Sequence, residues 1–216
     1  MLIEVKGNSG CAINIVEQDS RLVVHKSTFD SSYVQRLVNQ ANKQKNAMLT
    51  ANIDVPCIHS VTTYNNSATI IMDYIHAKNF VDFIEQSPIS AIDDFIKSIM
   101  AYVDKEISLS HDEVIPLHIF TDKISSIARN AENNKHVTEN TISLINEAND
   151  AFVSHGDITL PIGVCHGDLT LSNILFSSNK YYLIDFLDSF IETPIQDIVK
   201  LRQDTSLFWS LQMYDR

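Results

Sequence analysis

Cysteine is scarce in this chain of 216 residues: Cys11, Cys57 and Cys165 are odd in number, scattered and without Cys-x-x-Cys spacing. That excludes a disulfide framework and a thiolate zinc site, as expected of a reduced, cytoplasmic protein. No apolar run approaches the ~18 residues needed to cross a bilayer. The opening Met1-Leu2-Ile3-Glu4-Val5-Lys6-Gly7 lacks the basic-then-apolar layout of a secretory leader. No basic amphipathic face is present either, so no membrane partner is expected. Positive charge is also in short supply, 16 Lys and Arg against 27 Asp and Glu, for a net charge of −11. Such a balance argues against nucleic-acid binding, which needs phosphate-neutralising cations. The shortage is uneven. Residues 1–50 hold six basic and four acidic side chains, and the remainder ten and 23. Internal repeats and low-complexity segments are lacking. Outside the motif described below, His25, His59, His76, His111, His118 and His136 have no i, i+4 partner at metal-ligand spacing.

What is present describes a folded chain, 44% hydrophobic and 20% charged, long enough for one large domain or two small lobes. Residues 1–72 are strand-rich with one helix. Strands are expected at Ala12–Val16 and Leu22–His25, turning at Glu17–Ser20, and at Val61–Tyr64 and Ala68–Met72, turning at Asn65–Ser67. Val34, Leu37, Val38, Ala41, Met48 and Leu49 recur at three- and four-residue steps, predicting a helix over 31–49 with Gln44 facing inward and Gln40 at the stripe's edge. From residue 73 the pattern is helical. One stripe comprises Phe95, Ile96, Ile99, Met100, Val103 and Ile107, and another Ile142, Ile145, Ala148 and Phe152, with prolines 88, 116 and 161 at boundaries. Strand pattern returns at Asn173–Phe186, folded about a turn at Ser177–Lys180.

The chemistry concentrates in His166-Gly167-Asp168-Leu169-Thr170-Leu171-Ser172-Asn173, followed by Ile184-Asp185-Phe186. Phosphoryl transfer from a nucleotide needs one carboxylate to orient the acceptor hydroxyl and take its proton, plus oxygen ligands that hold Mg²⁺ on the phosphates. Mg²⁺ takes only one or two carboxylates from protein. Asp168, Asn173 and Asp185 supply that set. A four-residue turn at 177–180 pairs Phe176 with Tyr181 and Asn173 with Ile184, bringing Asn173 and Asp185 to one end of the hairpin. His155-Gly156-Asp157 repeats the tripeptide eleven residues earlier but has Ile162 where the second copy has Asn173. His155 and Asp157 are therefore expected to be loop or helix-end residues.

With these residues in place, the chain resembles the aminoglycoside phosphotransferase and choline kinase branch of the protein-kinase-like fold. The resemblance is specific over 160–200 and general elsewhere. It implies an α+β, two-lobed fold: a small antiparallel-sheet N-lobe at 1–72 that binds nucleotide, and a mostly helical, shortened C-lobe at 73–216. It further implies Asp168 as catalytic base, His166 as organiser of the loop, Asn173 and Asp185 as Mg²⁺ ligands, and Asp197 as a brace for the loop. Gly7 and Gly10 fall where a loop covers the phosphates of ATP, and Lys26 where a lysine holds them. Met72-Asp73-Tyr74-Ile75 falls at the hinge that receives adenine, with Met72 and Tyr74 beside it.

One departure is that the family's front helix presents a glutamate to this lysine, whereas the inward residue here is Gln44, an amide that cannot neutralise Lys26. The expectation is an ATP-dependent kinase acting on a hydroxyl of a sugar, amino alcohol or aminoglycoside. The alternative is a weak or inactive nucleotide-binding regulatory module. Only eight residues separate Asp185 from Pro194, too few for a peptide-docking platform, so a small molecule is the expected acceptor. The acidic remainder leans toward a cationic one. The apolar run Leu207-Phe208-Trp209-Ser210-Leu211 calls for cover, from a second copy or a further C-terminal segment.

Overall fold

The computed structural model describes residues 2–6, 10–177 and 180–213. In chain order the elements are β1 (Leu2–Lys6), β2 (Ala12–Gln18), β3 (Arg21–Thr28), α1 (Ser31–Lys45), β4 (Ile53–Asp54), β5 (Ile58–Tyr64) and β6 (Ser67–Asp73). There follow α2 (Phe80–Gln86), α3 (Ile89–Ser108), β7 (His111–Ile115), α4 (Leu117–Glu132), α5 (Glu139–His155) and β8 (Ile158–Ile162). The chain continues with β9 (Ile174–Phe176), β10 (Tyr181–Leu183) and α6 (Pro194–Leu207). It divides into two compact units, 1–110 with 163–216, and 111–162.

In the first unit, five antiparallel strands run in the order β1-β2-β3-β6-β5. Gln18 pairs with Arg21, so β2 and β3 are joined by two residues, Asp19 and Ser20, both at positive φ (50° and 61°). Such a left-handed pair matches the twist of the flanking strands. The hairpin β5–β6 also turns on two residues, Asn65 and Asn66, with Tyr64 opposite Ser67 and Asn65 at φ 51°. Both strand pairs are longer than the sequence pattern suggests. Lys26 accordingly lies inside β3, not at its end.

Helix α1 starts at Asp30, whose carboxylate accepts the Ser32 N–H at 2.9 Å, and it ends at Lys45. It buries Leu37 and Ala41 against Ala68 and Ile70 of β6. Gln44 does face inward, and Gln40 is buried with it. Leu49 lies beyond the helix and is exposed. Helix α3 buries Phe95, Ile99 and Val103, but Ile96, Met100 and Ile107 of the expected stripe face solvent. The buried arc is narrower than the apolar one, and it takes in the polar Ser98 and Glu106 instead.

Behind the sheet lies an aromatic core. Phe176 of β9 stacks on Phe83 at 4.2 Å between centroids and meets Phe95 edge-on at 4.9 Å. Strand β10 pairs antiparallel with β9, Tyr181 opposite Phe176, as the hairpin register predicts, and parallel with the short β4. Ser178 and Asn179 of its turn lie outside the described residues.

In the second unit, β7 pairs with β8 and α4 packs on α5, Phe120 stacking on Phe152 at 4.9 Å. Ile142, Ile145 and Phe152 are half-buried and Ala148 is exposed. His155 is the last residue of α5, Gly156 caps it at φ 74°, and Asp157 accepts the Leu117 N–H at 2.9 Å at the start of α4. The first His-Gly-Asp is thus a pair of helix ends.

Candidate active site

The loop 165–173 is held from beneath by α6. Thr193 caps this helix, and Pro194 opens it with a backbone already set for a first turn. Asp197, fully buried, accepts the N–H groups of His166 (2.5 Å) and Gly167 (2.8 Å). Two turns on, Asp204 accepts the N–H of Leu171 and that of Ser210, both at 2.6 Å. Gln196 Nε2 donates to the Gly167 carbonyl at 2.6 Å. The loop's backbone is therefore fixed by carboxylates, the strongest acceptors available to N–H groups.

His166 is fully buried, and burial holds its imidazole below the usual histidine range. Nδ1 accepts the Asp168 N–H at 3.2 Å, which leaves Nε2–H to donate to the Ile184 carbonyl at 2.8 Å. One neutral tautomer satisfies both contacts, and it links the loop to the residue before Asp185. Asn173 Nδ2 donates to the Asp168 carbonyl (2.9 Å) and to Asp168 Oδ2 (3.1 Å). The amide is thereby oriented, with its oxygen left as an acceptor. Ile184 N–H meets the Asn173 carbonyl at 3.0 Å, the contact the hairpin register requires.

Asp185 sits at φ 61°, a left-handed conformation that costs a non-glycine residue roughly 1 kcal/mol. Its carboxylate meets Lys26 Nζ at 2.8 Å. Lys26 is 4% exposed, so this carboxylate answers an ammonium that would otherwise be buried without a counter-charge. The expected meeting of Gln44 with Lys26 does not form. Gln44 Nε2 donates to the Pro56 carbonyl at 2.8 Å and lies 3.8 Å from Met72 Sδ. Helix α1 instead reaches the site through Lys43. Its Nζ contacts the Leu187 carbonyl (2.8 Å) and Glu192 Oε2 (2.5 Å).

Lys26 and Asp185 both line a cavity of about 270 Å³. Ile13, Ile15 and Val24 of the sheet line it, with Met72 and Tyr74 at the strand end and Leu175 and Ile184 from the hairpin. Gly10, at φ 72°, is exposed with open space around it, and Gly7 lies outside the described residues. Among the described residues, no three His, Cys, Asp or Glu side chains converge as a metal cage. Asp185 with the Asn173 oxygen fits a cation that takes its other ligands from phosphate and water.

Residues 126–211 match the sequence profile of the phosphotransferase enzyme family. Most of the chain is similar to solved structures of such enzymes. One is a Haemophilus somnus 129PT protein assigned as a fructosamine-3-kinase, with a TM-score of 0.63 at 10% identity, over 94% of this chain and 75% of that one. Another is aminoglycoside-3'-phosphotransferase of type VIII, at 0.62 and 13%, over 94% and 77%. A third is a thermostable mutant of aminoglycoside phosphotransferase APH(4)-Ia in a ternary complex with ADP and hygromycin B, at 0.60 and 14%, over 94% and 72%.

The fold is protein-kinase-like.

Among curated proteins no sequence matches. Of the residues singled out in the sequence, Asp168, Asn173 and His166 share one loop, Asp185 meets Lys26, and Met72 and Tyr74 line the apolar cavity, whereas Gly10 and Gln44 touch neither Lys26 nor that cavity. Sequence reasoning missed Lys43, Glu192, Lys200 and Asp204. Helical spacing offered a signal for two of them. Asp197, Lys200 and Asp204 stand at i, i+3 and i+7, one face of a helix that Pro194 announces. No helix is long and apolar enough to cross a membrane among the described residues.

Proposed function

We propose that this chain is a phosphotransferase that moves the terminal phosphoryl group of ATP to a hydroxyl of a small molecule. The observation that carries the reading is the pairing of Asp168 with Asn173. One side chain presents a carboxylate, and the other is locked so that its oxygen is left for a cation. In this reading Asp168 orients the acceptor hydroxyl and takes its proton as the oxygen attacks phosphorus, while ADP leaves with the electron pair of the broken P–O bond. Lys26 steadies the phosphates, and the apolar cavity beside Met72 and Tyr74 takes the base. When bound, Mg²⁺ held by Asp185 and Asn173 would neutralise phosphate charge.

A nucleotide-binding module without transfer is the second reading. It is favoured by α1 presenting the uncharged Gln44, turned to Pro56, where the resembling family presents a glutamate to the lysine. One comparison separates the two. Mg·ATP should raise the melting temperature of both the wild type and Asp168→Asn. ATP consumption with a panel of sugars, choline, ethanolamine and aminoglycosides should fall at least a hundredfold in Asp168→Asn, the scale of a lost general base. A thermal shift without any acceptor-dependent turnover supports the module instead, and no shift at all defeats both.

A further inference from the structure

The face of α6 that carries the loop holds three charged residues, Asp197, Lys200 and Asp204. The two acids are consumed by backbone N–H groups of the loop and of Ser210. Lys200 is aimed differently. Its Nζ lies 2.9 Å from Asp168 Oδ1, against the reactive side chain itself, while Asn173 engages Oδ2. Both side chains are about one-third exposed, Lys200 at 29% and Asp168 at 31%, so the pair faces the space an acceptor must enter. An ammonium has three donors, and an ion pair with one carboxylate oxygen leaves donors for a ligand. A carboxylate retains lone pairs beyond two contacts, so Asp168 can still receive a hydroxyl.

We infer that Lys200 is a specificity-determining residue of the acceptor site, and that the acceptor carries an anionic group, a carboxylate or phosphate, beside its reacting hydroxyl. The inference rests on the phosphotransfer reading. An acceptor hydroxyl on Asp168 brings its neighbouring substituents within contact of Lys200. An amine there faces a like charge at short range, whereas an anion gains a charge-assisted hydrogen bond. The chain's overall acidity leans the other way, but charges beyond about 10 Å are largely screened, and Lys200 acts in contact. Helix placement matters too: a lysine fixed one turn from Asp197 and one from Asp204 stands on a rigid support and not on a loop.

The test uses the full chain with Mg·ATP and two matched acceptor series: glucuronate, glucose and glucosamine, then glycerate, glycerol and 3-amino-1,2-propanediol. Phosphotransfer is followed by ADP release with Asp168→Asn as blank, and binding by saturation-transfer NMR with Mg·AMP-PNP present. The expected order is anion over neutral over amine, with about tenfold between the ends. Lys200→Met should reduce kcat/KM for the anions about tenfold more than for the neutral compounds, through KM, and Lys200→Glu should reverse the order. A preference for the amines, no preference or no binding in either series, or an equal fall in kcat for every acceptor with Lys200→Met overturns the inference. Asp168-dependent transfer without any charge order would sink this inference alone and leave phosphotransfer standing. Failure of Mg·ATP to bind would sink phosphotransfer as well.

Discussion

Gly167 adopts φ 86°, a region open to glycine and strained for other residues. A Cβ there would fall on Ser189 Oγ and within 2.8 Å of the Leu187 carbonyl oxygen, a backbone atom that cannot swing aside. Gly167→Ala should therefore lower stability by about 3 kcal/mol, the sum of left-handed strain and overpacking. It should also displace Asp168, so turnover should fall further than the loss of folded protein explains. Denaturant melts set against activity per folded molecule separate the two effects; an unchanged melt would refute the predicted crowding. The glycine of the motif thus has a steric reason of its own, distinct from the chemistry of its neighbours.

At the scale of elements, the coupling of α1 to the site is the main departure from expectation. Lys43 holds the carbonyl of Leu187, two residues beyond Asp185, while His166 accepts the N–H of the same residue at 3.0 Å. Asn39 Nδ2 reaches Asp188 Oδ2 at 3.3 Å, a second tie from the same helix. Helix α1 therefore acts on the segment that follows Asp185 and not on Lys26. Lys43→Met should weaken binding of Mg·AMP-PNP about tenfold, near 1.4 kcal/mol, yet barely alter binding of AMP-PNP in EDTA. Glu192→Gln should have a smaller effect in the same direction, because the amide oxygen can still accept the Ser189 N–H. Equal weakening with and without the metal would show that Lys43 serves the fold at large and not the placing of Asp185.

Over the whole molecule, a buried polar cluster joins α3 to α6 beneath the loop. Glu106 is 1% exposed and faces both Tyr102 and the Asp197 carboxyl. Burial, then the Asp197 charge, pushes Glu106 up to about 9. Because Asp197 accepts two N–H bonds, the proton resides on Glu106. A raised carboxyl means the folded state binds more protons than the unfolded one between about pH 4.5 and 9, so stability falls as pH rises through that window. His166, lowered by burial, has the opposite sign, but only below its unfolded value near 6.5. Between pH 6.5 and 8.5 the slope belongs to the Glu106–Asp197 pair, because burial raises Asp197 as well and with the same sign. The melting free energy should drop there by up to about 1.4 kcal/mol per pH unit, and Glu106→Gln should flatten the slope. Parallel slopes in wild type and variant would place the proton elsewhere.

Legible from the residues alone were the loop motif around Asp168, the hairpin register that sets Asn173 opposite Ile184, and the inward face of α1 through Leu37, Ala41 and Gln44. Each follows from local spacing: a motif, a turn of fixed length, a helical period. It also shows why the first His-Gly-Asp differs from the second. Which distant side chains meet is settled by packing alone. Lys26 and Asp185 are 159 residues apart, and no period links Lys43 to Leu187 or to Glu192. The choice between Gln44 and Lys43 as the side chain by which α1 reaches the site depends on the angle at which the helix packs on β6, which its own pattern does not encode. The exposure of Ile96 and Met100 has the same origin, since an apolar stripe shows which residues can be buried and the neighbouring elements decide how many of them are.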